Sequence, residues 1–254
     1  WIFFFESFGI FNMRDINVGI IGFGTIGSGV FKILQENGGI IKKRLGASIN
    51  VSKIADLDIT TDRGVKVDSK LLTTDAQQVI KDSNVDIVVE LIGGYEPAKS
   101  LILGAINEGK HVVTANKALL AKYGNEIFSM VEKEQASIGF EAAVGGAIPI
   151  IRSIKESFVA NKIISIEGIV NGTANYILSK MSDENCGFDL ALKEAQDKGF
   201  AEVDPTFDIE GIDSVHKIAI LSQLAYGTAV KSDDITVQGI SGISIDDIEC
   251  AREF

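Results

Sequence analysis

The sequence is poor in the residues that bind metals, form disulfides or break helices. Its 254 residues include two cysteines, two histidines and three prolines. Cys186 and Cys250 are too few for a zinc site or a disulfide framework, so we expect reduced thiols and a cytoplasmic location. Two histidines leave little room for His-based catalysis or His-rich metal sites. Three prolines exclude a proline-rich linker.

Basic charge and long apolar runs are also scarce. Lys and Arg number 24 against 35 Asp and Glu, which gives a net charge of -11. Such a chain repels phosphate backbones, and its one basic run, 42–44, is too short to form a binding patch. No apolar run reaches the roughly 18 residues that a transmembrane helix needs. We therefore expect neither a nucleic-acid partner nor a membrane partner.

Residues 1–12 differ in composition from the rest of the chain. They hold five of the fourteen phenylalanines and the single tryptophan. A signal peptide would need a basic start and a small-residue cleavage site, and both are missing. We interpret this segment as a non-native or disordered extension, with a hydrophobic interaction tail as the alternative.

The remainder alternates apolar strand patterns with helical patterns, which predicts an α/β fold. Strands are predicted at 16–21, 49–56, 85–92 and 111–114. The sequence indicates a Rossmann-type, doubly wound parallel sheet over 13–140 that binds NAD(P). An incomplete α+β domain for substrate binding and dimerisation follows over 141–254. That second domain is predicted to contain a strand at 163–170 and helices at 150–158, 174–181, 188–198 and 212–226.

A glycine-rich loop follows the first predicted strand directly and opens a helix. Gly22 permits a tight turn, Gly24 lets backbone N–H groups approach a pyrophosphate, and Gly27 lets the helix pack on the strand. The helix N-terminus adds about half a positive charge, which favours an anion. We predict dinucleotide binding here, with an ordinary strand–turn–helix junction as the alternative. The helix is expected to end at 37–39.

Asp56 ends the second predicted strand, where a carboxylate can accept from the adenosine ribose hydroxyls. It lies 29 residues beyond Gly27, whereas the usual interval is about 20. An insertion at 39–46 is expected to account for the difference. An acid favours NAD, while the nearby Lys53 and Arg63 could serve the 2′-phosphate of NADP. The choice between the two stays open, as does the alternative of a solvated strand-end aspartate.

Five carboxylates lie between Glu202 and Asp213, just before and into a predicted helix. Asp213 and Lys217 are four residues apart, so they share a helix face. An exposed ion pair worth about 0.2–0.5 kcal/mol is the alternative reading. A buried acid–lysine pair would instead supply the proton transfer that a dehydrogenase needs.

Lys117 follows the strand predicted at 111–114, at the edge where open α/β sheets bind ligands. It is either a solvent-facing charge or a group that reaches a cofactor or substrate.

Six segments carry a resemblance to a known family. They are GFGTIG (22–27), ELIGG (90–94), VTANK (113–117), EAAVGG (141–146), GIVNGTANYIL (168–178) and GFAEVDP (199–205) with its continuation to Lys217. In their order and spacing over 16–254 they resemble homoserine dehydrogenase. The resemblance implies reversible interconversion of L-aspartate 4-semialdehyde and L-homoserine with NAD or NADP, in threonine, methionine and isoleucine biosynthesis. Members of the family continue beyond the point where this sequence stops.

The resemblance also implies roles for individual residues. Lys217 resembles the proton donor and acceptor at the substrate oxygen, and Asp213 its partner. Glu202 resembles the ligand of the substrate amino group, and Lys117 the lysine beside nicotinamide and substrate. Further cofactor contacts are implied for Thr114 and for the backbones of Phe23, Thr25 and Ile26.

A sodium ion and a homodimer or larger homo-oligomer are implied in the same way. The implied sodium ligands are the Glu141 side chain and the carbonyls of Val144, Gly146 and Ile148, and oxygen ligands suit such a hard cation. Two other functions remain as alternatives. A non-catalytic dinucleotide-sensing module would have no need of the Asn-Gly-Thr segment at 171–173 or of Glu202, Asp213 and Lys217, so their presence counts against it. A semialdehyde dehydrogenase would need a catalytic cysteine in a suitable motif.

Overall fold

A computed structural model describes residues 15–253; the extension predicted over 1–12 lies outside this range. The chain divides into two compact units. The first runs to Leu119 and includes Asn125–Phe140, and the second comprises Leu120–Gly124 and the chain from Glu141 onward. Within the described range, no helix has the length and apolar character needed to cross a bilayer.

The first unit contains a six-stranded, entirely parallel sheet in the order β3-β2-β1-β4-β5-β6. The chain moves outward from β1 to β3 and then returns to place β4 beside β1, which is the switch point of a doubly wound fold. The Rossmann-type prediction is confirmed. The strands are β1 (Ile16–Ile21), β2 (Ile49–Ala55), β3 (Leu72–Thr73), β4 (Ile87–Glu90), β5 (His111–Thr114) and β6 (Ile138–Gly139).

The central strands are apolar because helices cover both faces of the sheet. Val18 and Ile20 of β1 pack with Ile54 of β2 and Val89 of β4 in one buried cluster. The register aligns the carboxyl ends of β1, β2, β4 and β5. The residues that follow these strands therefore emerge at one edge of the sheet.

The helix after the glycine loop is longer than predicted. It does not end at 37–39 but continues to Leu45, where Gly46 adopts a left-handed conformation and donates to the Lys42 carbonyl. Gly38 and Gly39 cost about 1 kcal/mol each in a helix interior, which is too little to end it. The long interval to Asp56 is thus helix, and no looped insertion is needed. The helices of this unit are α1 (Thr25–Leu45), α2 (Gln77–Ile80), α3 (Ala98–Asn107) and α4 (Lys117–Lys133).

The second unit is built from helices over its described residues. A buried cluster of Ile177, Met181, Ala191 and Ala195 forms its core. The predicted helix at 212–226 is confirmed, and those at 150–158, 174–181 and 188–198 are confirmed with small changes at their ends. The helices are α5 (Ile150–Arg152), continued by a π-helical turn (Ser153–Ser157), α6 (Gly172–Glu184), α7 (Phe188–Asp197), α8 (Thr206–Ile209), α9 (Ile212–Tyr226) and α10 (Ile245–Arg252).

The strand predicted over 163–170 is wrong. The segment is irregular, and its side chains Ile164 and Ile169 are 86% and 77% exposed. A strand is stabilised by hydrogen bonds to a neighbouring strand. No strand pairs with this segment among residues 15–253, so its alternating pattern alone does not produce one.

Candidate functional site

The glycine loop has the shape that a dinucleotide requires. Gly22 has φ of 98°, and a Cβ there would lie 2.7 Å from the Leu91 carbonyl carbon. A Cβ on Gly27 would lie against the Gly22 carbonyl oxygen. A Cβ on Gly24, by contrast, would meet nothing within 4 Å. Gly22 and Gly27 are therefore required by the packing of the protein itself, whereas Gly24 faces open space. At Gly24 the absence of a side chain lets a ligand approach the backbone closely.

The start of α1 supplies hydrogen-bond donors at this loop. Thr25 and Ile26 are its first two residues and are exposed. The first N–H groups of a helix have no acceptor within the helix and carry its positive dipole end. The start of α1 can thus bind an anionic group.

Asp56 connects the end of β2 to the glycine loop. Its Oδ2 accepts from the Phe23 N–H at 2.5 Å, and its Oδ1 accepts from the Asp58 N–H at 2.8 Å. Asp56 is therefore more than a solvated strand end. The Phe23 N–H, which the resemblance places against the cofactor, has an acceptor within the protein.

A buried carboxylate organises the neighbouring strand ends. Glu90 is fully buried, and its Oε2 accepts from the Thr114 hydroxyl at 2.6 Å. Its Oε1 accepts from the N–H groups of Ile92 and Gly93 at 2.9 and 3.2 Å. Thr114 is itself fully buried. The Thr114 hydroxyl therefore supports the edge of the sheet through its buried hydrogen bond to Glu90 and is not exposed at the surface.

Asn116 extends this network to the start of α4. Its N–H donates to the Thr114 hydroxyl, its Nδ2 donates to the Gly94 carbonyl at 2.7 Å, and its Oδ1 accepts from the Leu119 N–H. Lys117 is the first residue of α4 and is half-buried. Sequence reasoning missed both Glu90 and Asn116. The available signal for Glu90 was an acid at the end of an otherwise apolar strand, and for Asn116 an asparagine directly before a helix start.

In the second unit, Lys217 and Asp213 form an ion pair in which Asp213 is buried and Lys217 is partly buried. The Lys217 Nζ lies 2.6 Å from Asp213 Oδ2 and donates to the Val170 carbonyl. The Asp213 side chain is 3% exposed and the Lys217 side chain 16%. The interpretation as an exposed surface pair is therefore wrong. Burying two charges costs solvation free energy, which good geometry and further hydrogen bonds must offset.

Asn171 supplies those further hydrogen bonds. Its Nδ2 donates to Asp213 Oδ2 at 3.0 Å and to Asp208 Oδ1 at 2.7 Å. Its Oδ1 accepts from the Ala174 N–H at 2.8 Å and caps α6. Sequence reasoning gave neither Asn171 nor Asp208 an individual role at the site. The signal for Asn171 was an asparagine immediately before a helix start.

The other carboxylates of the acidic segment have separate roles. Asp204 accepts from the Thr206 hydroxyl at 2.6 Å, which lowers the pKa of Asp204 below its ordinary value. Glu210 accepts from the Ser241 hydroxyl at 2.9 Å. Glu202 is exposed on the loop before α8, and only its carbonyl, as an acceptor from Gln196, has a described hydrogen bond. Glu202 is thus the member of the segment best placed for an external ligand.

The turn with the implied sodium ligands has a structural role of its own. Glu141 Oε1 accepts from the Ile151 N–H at 2.9 Å, and Oε2 accepts from the Arg152 N–H at 3.1 Å. The carboxylate therefore caps α5. The Ile148 carbonyl accepts from the Ile150 N–H. No cluster of three His, Cys, Asp or Glu side chains suited to a metal occurs in the part of the chain that the structure describes.

Two family models match the chain. Residues 22–141 match "Homoserine dehydrogenase, NAD binding domain", and residues 149–254 match "Homoserine dehydrogenase". A curated homoserine dehydrogenase from Neisseria gonorrhoeae is 47% identical over 242 residues, which is 95% of this chain and 55% of that protein. The chain spans about half the length of the curated relatives it matches.

Solved structures agree with these matches. The homoserine dehydrogenase of Thiobacillus denitrificans is 47% identical with a TM-score of 0.87, over 94% of this chain and 56% of that one. A structure assigned to homoserine dehydrogenase of Archaeoglobus fulgidus is 32% identical with a TM-score of 0.81, over 94% and 77%. A hyperthermophilic archaeal member, solved in complex with NADPH, is 28% identical with a TM-score of 0.76, over 91% and 76%. The chain belongs to the homoserine dehydrogenase family.

Proposed function

We propose that the chain carries the cofactor-binding and proton-transfer residues of an NAD(P)-dependent homoserine dehydrogenase. The reaction is the reversible interconversion of L-aspartate 4-semialdehyde and L-homoserine, a step of threonine, methionine and isoleucine biosynthesis. The Lys217–Asp213 pair, held by Asn171, is the observation that carries the proposal. The pair joins a proton-carrying ammonium group to a fixed carboxylate, which is the combination that general acid–base catalysis requires.

The proton chemistry follows from this pair. Lys217 gives a proton to the aldehyde oxygen during reduction and takes the hydroxyl proton during oxidation. Asp213 orients the ammonium group, and Asn171 orients Asp213. When bound, nicotinamide supplies or accepts the hydride. General acid–base groups of this kind contribute about 10²–10⁴-fold to rate.

Substrate recognition is assigned to two charged residues. Glu202, exposed before α8, complements the substrate ammonium group. Lys117, at the start of α4, complements the substrate carboxylate or the cofactor. Thr114 acts through the buried network with Glu90, and the N–H groups of Thr25 and Ile26 face the pyrophosphate at the glycine loop.

We further propose that the protein binds a sodium ion, forms a homodimer and is located in the cytoplasm. Oxygen donors at Glu141, Val144, Gly146 and Ile148 suit a hard cation. Because Glu141 already accepts two backbone N–H groups, sodium would share that carboxylate with α5. Replacing sodium by choline should then lower the unfolding temperature of the wild type. If Glu141 serves only as a helix cap, the exchange should have no effect.

The proposal is tested with Lys217→Ala. Formation of reduced nicotinamide from L-homoserine is followed by absorbance with NAD⁺ and with NADP⁺. We expect kcat to fall about 10²–10⁴-fold, while the Kd of the cofactor stays unchanged. Lys193→Ala, at an exposed position on α7, is the matched control. Wild-type turnover in Lys217→Ala would refute the proton-transfer assignment.

A further inference from the structure

The lining of a small cleft at the carboxyl end of β2 bears on whether NAD or NADP binds. It has a volume of about 120 Å³ and lies next to the glycine loop. In a doubly wound fold the adenosine ribose binds here, beside the acid that ends the second strand. Its polar lining consists of Asp56, Asp58, Thr61, Asp62 and Arg63.

The cleft holds three carboxylates and one guanidinium group. The lysines close in sequence, Lys53, Lys66 and Lys70, are not part of the lining, and Lys53 pairs with Asp82 at 3.5 Å. A 2′-phosphate brings further negative charge close to −2. Placed here, it would be repelled by the carboxylates unless Arg63 were available to neutralise it.

Arg63 is held by one of those carboxylates. Its Nη2 lies 3.2 Å from Asp58 Oδ2, and its side chain is 28% exposed. The Arg63 Nε is buried and has no hydrogen-bond acceptor among the described residues. The guanidinium group is thus tied to Asp58 through Nη2, and a 2′-phosphate would compete with that carboxylate for it.

Asp58 is fixed in turn by the loop that follows it. Its Oδ1 accepts from the Thr60 N–H, the Thr60 hydroxyl and the Thr61 N–H at 3.1, 2.9 and 3.0 Å. Hydrogen bonds from Thr61 and then from Thr60 hold the pKa of Asp58 well below its ordinary value. The carboxylate is therefore charged and preorganised before any ligand arrives.

We propose that Asp58 is a specificity determinant that makes this site select NAD over NADP by keeping Arg63 paired within the cleft. The inference rests on the proposed function, because it concerns the cofactor of that reaction. An unmodified ribose can donate both hydroxyls to Asp56. A 2′-phosphate would have to separate Arg63 from Asp58 and would then lie in a cleft with three carboxylates.

The test compares the Kd values of NAD⁺ and NADP⁺ by isothermal titration calorimetry, without turnover. We expect the wild type to bind NAD⁺ at least about tenfold more tightly, a difference of about 1.4 kcal/mol. Asp58→Asn keeps an oxygen acceptor for Thr60 and Thr61 but removes the charge. It should tighten NADP⁺ binding about tenfold and leave NAD⁺ binding unchanged. Adding Arg63→Gln should abolish that gain.

Asp62→Asn is the matched control, because it removes a charge from the same cleft and its carboxylate accepts from the Gly64 N–H. An equal gain in Asp62→Asn would overturn the assignment to the Asp58–Arg63 pair. So would a wild type that binds NADP⁺ as tightly as NAD⁺, or an unchanged preference in Asp58→Asn. If neither nucleotide binds any variant, the proposed function fails, and the inference fails with it.

Discussion

Single residues in this protein connect segments that are far apart in sequence. Glu90 is fully buried and binds Thr114, which lies 24 residues away, as well as the two amides that follow its own strand. The loop that starts at Leu91 also packs against Gly22, where a Cβ would collide with it. One carboxylate therefore shapes both the strand edge and the wall beside the glycine loop.

Glu90→Gln should consequently be costly despite its similar size. Glutamine has one acceptor oxygen and an NH₂ group that would face hydrogen-bond donors. A buried hydrogen bond to a charged group is worth about 1.5–3 kcal/mol, so we expect a loss of about that size in urea unfolding. Glu96→Gln is the control, because Glu96 accepts from Ser100 at an exposed position. Equal stability of the two variants would contradict the role of Glu90.

The candidate proton-transfer residues of the second unit show how much of a site the sequence can predict. The Asp213–Lys217 contact follows from four-residue spacing on a helix, which is a local rule. The contact between Asn171 and Asp213 spans 42 residues, and no periodicity encodes it. The network that holds a functional group is thus harder to predict than the group itself.

At the scale of secondary-structure elements, helices α6 and α7 are joined by a cluster of charges. Glu194 of α7 lies 2.6 Å from the Lys180 Nζ and 2.5 Å from the Lys198 Nζ, and accepts from the Tyr176 hydroxyl. These contacts, that of Lys180 first, lower the pKa of Glu194 to about 2. The folded state therefore favours the ionised carboxylate.

This shift predicts how the stability of the helix pair depends on pH. A depressed pKa stabilises the folded state above the ordinary value of 4.5. That contribution is lost as the pH falls from there toward about 2. Glu194→Gln should thus unfold at a lower temperature than the wild type at neutral pH. This difference in unfolding temperature, the gap, should disappear as the pH falls through this interval. The exposed Glu249→Gln on α10 should show no such gap. A gap for Glu194→Gln that is constant with pH would refute the ion-pair explanation.

Elements with local signals are predictable, and those that depend on distant partners are not. Helix α9 matches its prediction because Gly211 and Gly227, both left-handed, flank it. The end of α1 was missed because Gly38 and Gly39 stay helical. Strands β3 and β6 have two residues each, too few to show a period. The strand predicted at 163–170 fails because pairing, which is not local, decides whether a strand forms.

At the scale of the whole molecule, the two units have separate hydrophobic clusters. Val18 and Ile54 belong to the cluster of the first unit, and Ile177 and Met181 to that of the second. The glycine loop and Asp56 lie in the first unit, and the Lys217–Asp213 pair lies in the second. Cofactor binding and proton transfer are thus assigned to units with different cores.

This division predicts a selective effect of the cofactor on stability. NAD⁺ at about 100 times its Kd should stabilise the state that binds it by about 2.7 kcal/mol. Hydrogen exchange followed by mass spectrometry should show slower exchange in peptides from β1, β2 and β4. Peptides from α6 and α7 should change less. Equal protection of all these peptides would show that the two units open together.

Asn171 has a consequence for how this protein tolerates mutation. Its oxygen starts helix α6, and its nitrogen holds the carboxylate that orients Lys217. Alanine at this position would remove the helix cap and the hydrogen bond to Asp213 together. Aspartate would keep an oxygen that caps α6 but would place a second carboxylate beside Asp213. The two contacts of Asn171 can therefore be separated only by a side chain that keeps the oxygen and loses the NH₂ group.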